Sequence, residues 1–226
     1  MLSEHAFDSG SLFKLTLETD QSELLDEVAR DYWRTFVYPL PPALMDEALS
    51  HWKTPGDLRQ GVRNLIDDPL SLGTPPESVH KAIDQVVRRR LEQSQSLKAH
   101  PWSQWRDDVI ELLSDLNKSK RLHGASKNAM IKVWDLLVAW AESDDLLPEK
   151  IDSAAGFKNQ TPEGLDKILK GDDPAPHHPA FDAIGALLDF SQNQPNAKSD
   201  ILRHASHWIA ERLESEKQKR SEMGFD

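Results

Sequence analysis

The 226-residue sequence contains no cysteine. That excludes disulfides, thiolate zinc sites and a cysteine nucleophile together. No apolar run approaches the roughly 20 residues needed to cross a bilayer. The N-terminal MLSEHAFDSG has no basic region ahead of an apolar core, so it does not read as a secretory signal. The expectation is a cytoplasmic, bacterial protein with no membrane role. There is no G-x-S-x-G elbow and no glycine-rich phosphate fingerprint. No two carboxylates are spaced for general acid–base work. His177 and His178 sit together in a proline loop without further ligands at metal spacing. No catalytic residue, metal site or cofactor is therefore expected. Positive charge is also short: 27 basic against 38 acidic residues give a net charge of −11. That balance argues against a generic nucleic-acid or membrane binder.

What the chain does have is tryptophan and helical periodicity. Trp102, Trp105, Val109, Leu112, Leu113 and Leu116 recur at spacings of three and four, and so do Met130, Val133, Trp134, Leu137, Trp140 and Ala141. A basic hinge, KSKRLHG, lies between them. The two stretches predict an antiparallel helical hairpin over residues 101–142. Around it the pattern predicts an all-α bundle of about ten helices. An earlier helix ends at YPLPP, where proline breaks it. Further helices are expected from about Pro42 to Trp52, from Pro55, and from Pro75–Glu77 with Val79, Ile83, Val86, Val87 and Leu91 facing inward. Another runs from about Pro148 and ends at Gly156. TPEGLDKILKG, HPAFDAIGALLDF and a last helix from about Ser199 to Ser221 follow. SLFKLTLET near the N-terminus reads as extended. A boundary near 143 would separate an N-terminal bundle, 1–143, from a C-terminal helical part, 144–226, which could also pack on the first as one domain. Core packing is the expected role of most of the seven tryptophans (33, 52, 102, 105, 134, 140 and 208). Any exposed one would mark a binding surface.

Charge is unevenly placed. Residues 51–143 hold 14 basic and 12 acidic side chains, the only region with a positive surplus; residues 144–189 hold 4 and 10. From Asn117 to Lys132 there are five basic residues, Lys118, Lys120, Arg121, Lys127 and Lys132, and no acidic one. GASKN also opens a helix there, with backbone N–H groups at its positive end. These features suit a phosphate, a nucleic-acid backbone or an acidic partner. The plain alternative is a solvated turn. Arg88, Arg89 and Arg90 cannot share one helix face. They read first as a solvated helix end that complements the C-terminal dipole, and second as part of a nucleic-acid surface.

Across 129–190 the succession of a helix to Glu142, AAGF, TPEGLDKILKG and HPAFDAIGALLDF looks like the phage-repressor type of helix-turn-helix domain. That resemblance implies a DNA reader. The stretch departs from it in a longer turn after Gly156 and in offering Glu163 and Asp166 where base-reading side chains would stand. A net charge of −6 over 144–189 also repels phosphate. A helix-turn-helix shape reused for protein contact fits better. Arg203 and His207, four apart on the last helix, are similar to the arginine–histidine pair of helical ribonucleases of the HEPN type, with a shorter gap between them. That resemblance implies an RNA-cleaving pair, with His204 and Glu211 nearby. The structural reading is a polar face opposite Trp208 and Ile209.

The sequence thus leads to a non-catalytic helical interaction protein, an adaptor or accessory subunit of a larger assembly. Its expected partner is another protein or a second copy of itself. The alternative is a nucleic-acid-associated protein using the hinge at 117–132 and Arg88–Arg90, with a ribonuclease third.

Overall fold

The computed structural model describes residues 21–152 and 155–223; the extended segment expected at SLFKLTLET lies outside them. Among the described residues there are helices and turns and no strand, as the periodicity predicts. No helix among them is long and apolar enough to cross a membrane. They form two compact units. The first draws on the described residues up to Val87 and from Asn196 onward, the second on those from Arg88 to Pro195.

In the first unit, α1 (residues 21–32) runs into a π-helical turn, Trp33–Val37. Then come α2 (Pro42–His51), α3 (Pro55–Val62) and a short 3-10 turn, Pro69–Leu72. The sequence cues for α3 are direct: Thr54 and Asp57 form a reciprocal capping box, and Pro55 occupies the first turn. The first part of α4 (Val79–Lys98) and the last helix, α10 (Lys198–Met223), complete the unit. Residues 201, 205, 209 and 213 of α10 form an apolar stripe packed with Leu24, Val28, Tyr32, Leu58, Val62 and Ile83.

One buried acidic side chain ties this unit together. Glu47 on α2 is only 4% exposed, yet its carboxylate accepts the Ala197 backbone N–H at 2.7 Å. His51 pairs with the same carboxylate at 3.0 Å. Ala197 immediately precedes α10, so Glu47 supplies, from another part of the chain, an acceptor at that helix's positive end.

In the second unit, α5 (Trp102–Lys118) and α6 (Gly124–Ala141) pack on one another across the turn at 119–123. Arg106 near the start of α5 pairs with Asp135 in the latter half of α6 at 3.0 Å. The pair belongs to this unit alone; the first unit has its own core. Next come α7 (Ala155–Lys158), α8 (Pro162–Ile168) and α9 (Pro179–Gln192). Thr161 caps α8 by accepting the Gly164 N–H. His178 caps α9 through Nδ1, which accepts from the Ala180 N–H.

Three sequence expectations are corrected. The triple arginine does not end α4. The helix continues to Lys98, because LEQSQSLK contains strong helix formers and no breaker. Leu91 does not face inward; it is 47% exposed. Gly156 does not stop a helix but lies inside α7, buried against α6. A Cβ there would stand 2.7 Å from Val133 Cγ2 and 2.8 Å from the Ala129 carbonyl oxygen. Beside it, the fully buried Gln160 accepts from Trp134 Nε1 and donates to the carbonyls of Met130 and Gly156 at 3.1 and 3.2 Å.

Two stability outcomes follow from these contacts. Glu47→Ala strands a buried N–H and the imidazole together, and should destabilise the first unit by about 2–4 kcal/mol, with Glu47→Gln milder. Gly156→Ala forces α7 off α6 and should cost about 1–3 kcal/mol. Urea titrations followed by tryptophan fluorescence check both.

Candidate functional site

The basic hinge is not a uniform cationic surface. Lys120 is at its tip, exposed and with a positive φ of 59°. Lys118 is also exposed, but pairs with Asp115 at 2.9 Å, which raises its pKa through hydrogen bonding and then charge. Arg121 turns back on the protein. It donates to the backbone carbonyls of Lys170, Asp173 and Pro174, bracing the proline-rich loop after α8. Lys132 is exposed along α6 and Lys127 is half-buried. The opening of α6 is partly occupied, since His123 Nδ1 accepts from the Ala125 N–H.

Within the triple arginine, Arg90 is tied to a segment far from the hinge in sequence. Arg90 donates to the Pro195 carbonyl at 2.6 Å. Farther along α4, Ser94 and Lys98 bond the carbonyls of Leu146 and Ser143, just past the end of α6. The hinge is at the opposite end of the α5–α6 pair. With 17 residues in α5, its two ends stand about 25 Å apart.

Arg203 and His207 share a face of α10, as their spacing requires. They point to backbone rather than to one another. Arg203 donates to the Thr74 carbonyl and His207 Nε2 to the Gly73 carbonyl, each at 3.2 Å. Arg203 also faces Asp200. The two side chains fasten the turn after Pro69–Leu72. The helix-turn-helix expectation fares similarly. Its reading position falls to α8, seven residues long, with Glu163, Asp166 and Lys167 outward.

All seven tryptophans lie in or against the two cores. Trp102 meets Trp105, Trp134 and Trp140 at ring-centroid distances of 5.6, 6.1 and 6.2 Å. Among the described residues the large apolar side chains that are exposed are Tyr38, Leu70 and Leu91. A tryptophan-bearing docking surface is not found among the described residues; in its place stands a groove on α5, whose two leucines the periodicity put on the apolar helix face. On α5, Asp108, Glu111 and Asp115 edge a groove floored by Leu112 and Leu116 and closed by Arg121 and Pro176, with a volume of about 560 Å³. The signal was present as charged and apolar residues alternating along one stripe. It was missed because both leucines also fit the core periodicity.

A further polar contact of the first unit, partly buried, is Tyr32–His204, with the phenol oxygen 3.0 Å from Nδ1. Burial pushes the Tyr32 phenol above its ordinary range, so it stays protonated and donates. Burial, and then the neighbouring His207, holds His204 below the usual histidine value, so Nδ1 stays free to accept.

No family model matches the chain. Among curated proteins, the RecBCD enzyme subunit RecB of Escherichia coli (strain K12) is 30% identical over 232 residues, an alignment that takes in the whole of this chain. The chain spans 18% of RecB's length.

The lowered His204 value fixes a direction of pH dependence. The unfolded chain protonates this histidine near the ordinary value of about 6.5, whereas the folded one resists. The unfolded state then binds more protons as pH falls. The contribution is thus complete above the unfolded value and is lost progressively below it, down to the folded value. Urea midpoints of the first unit should drop as the pH falls below about 6.5. His204→Gln should flatten that slope.

Proposed function

We propose that this chain is a non-catalytic helical docking module that serves a multi-subunit enzyme of the RecBCD kind. The observation that carries this reading is the alignment: the full chain matches 18% of a protein whose name makes it a subunit of a larger enzyme. A module of that relative size, with two cores of its own, suits a structural and docking role. The side chains that suggested chemistry support this reading, since Arg203 and His207 already hold backbone carbonyls.

Nucleic-acid contact is the second reading. It rests on Lys120 and Lys132, which are exposed on and beside the hinge. Against it stand the carboxylates of Asp108, Glu111 and Asp115, which run along α5 toward the same hinge and repel phosphate.

The test is co-expression of the tagged chain with the remaining subunits of a RecBCD-type enzyme, then purification with and without nuclease. The expected result is a near-stoichiometric protein complex that survives nuclease. Elution of the chain alone would overturn the docking role. Recovery that collapses on nuclease treatment would replace it with the nucleic-acid reading.

A further inference from the structure

We propose that the groove on α5 receives a cationic amphipathic helix from a protein partner. This deepens the docking role above and rests on it for its biological setting. Asp108, Glu111 and Asp115 are spaced by three and four residues, so they stand on successive turns of one face. Their spacing along the helix is about 5 Å per turn. Leu112 and Leu116 lie on the same stripe and give the groove an apolar floor. Leu112 is only half-buried, although a leucine of this periodicity is expected in the core.

The chemistry of the occupant follows from complementarity. Among the described residues no three acidic or histidine side chains converge to hold a metal ion. The carboxylates are strung along a helix, and the matching object is a row of cations at the same pitch. A second helix with lysine or arginine at i, i+3 or i+4, and i+7 provides that row, and an apolar residue between them meets the leucine floor. Arg121 lines one end of the groove but donates its N–H groups to three carbonyls of the neighbouring loop, and Lys118 is solvated. Lys118 and Asp115 are 77% and 65% exposed, so their pair exchanges for a partner cation at little cost. His178 Nε2 stands 3.8 Å from Asp108 and caps α9 through its other nitrogen. The net charge of −11 extends the attraction for a basic segment beyond contact.

The probe is a fluorescent synthetic helix of about four turns with leucines on one stripe and lysines flanking them. The control has the same composition, shuffled so that leucine and lysine no longer share a face. Anisotropy should show the wild-type chain binding the patterned peptide about tenfold tighter than the shuffled one. The triple variant Asp108→Asn, Glu111→Gln, Asp115→Asn, whose changes lie on exposed positions, should abolish that preference. Lys118→Ala, which removes a competing cation, should tighten binding. Equal binding of the two peptides, or an unchanged preference in the triple variant, overturns the proposal. So does a duplex oligonucleotide whose binding weakens in the triple variant. A triple variant that loses the peptide but still co-elutes with partner subunits overturns the groove as the docking site and leaves the docking role standing. A wild-type chain that prefers the patterned peptide but finds no partner subunit overturns the role and leaves the groove.

Discussion

The first unit depends on one carboxylate. Its chain is discontinuous: α1 to α3 come early, and α10 returns after the whole second unit. Apolar stripes on α10 and α1 provide most of the attraction, but apolar contact is not directional and does not fix where a helix begins. Glu47 does. Its oxygen accepts the N–H that opens α10, and His51 Nε2 lies 3.0 Å from the same carboxylate. A polar group this deep is expensive unless it is hydrogen-bonded, and here it is. The contact spans 150 positions of sequence, so forming it closes a long loop and costs more chain entropy than a local contact does.

Gln160 plays the equivalent part in the second unit, by a different route. It is neutral, fully buried and served at both ends of its amide, by Trp134 on one side and two carbonyls on the other. Satisfying every polar atom makes the network a specifier of geometry rather than a liability. It sets how α7 lies on α6, and the missing side chain at Gly156 lets the two backbones come that close.

How much of this could be read beforehand follows from what kind of partner each residue has. Helices were legible because their apolar residues meet other apolar residues, and periodicity records that directly; the caps of α3 and α9, Thr54 and His178, emerge only in the structure. Gly156 was misread because a glycine that ends a helix and one that admits a neighbouring helix look the same in sequence. Arg88–Arg90 were read as a helix end because clustered charge was given more weight than the helix formers after it. The candidate site was hardest. Arg90, Lys98, Arg121, Arg203 and His207 each bond a backbone carbonyl distant in sequence. A carbonyl exists at every position and leaves no mark in the pattern. Glu47 escaped for the mirror-image reason, since its partner is a backbone N–H.

That use of cations has a consequence for the surface. When arginines and lysines are turned inward to brace loops, the carboxylates left outside are less neutralised than the composition alone implies. The hinge illustrates it through Arg121, which bonds a loop, although Lys118 does pair with Asp115 at the surface. The stripe of α5 next to it presents Asp108, Glu111 and Asp115 around two leucines. A surface of that kind repels phosphate at long range and attracts basic peptide, and its apolar floor selects among basic peptides by pattern rather than by charge. Electrostatics alone would favour any cation; the leucines are what make the preference specific.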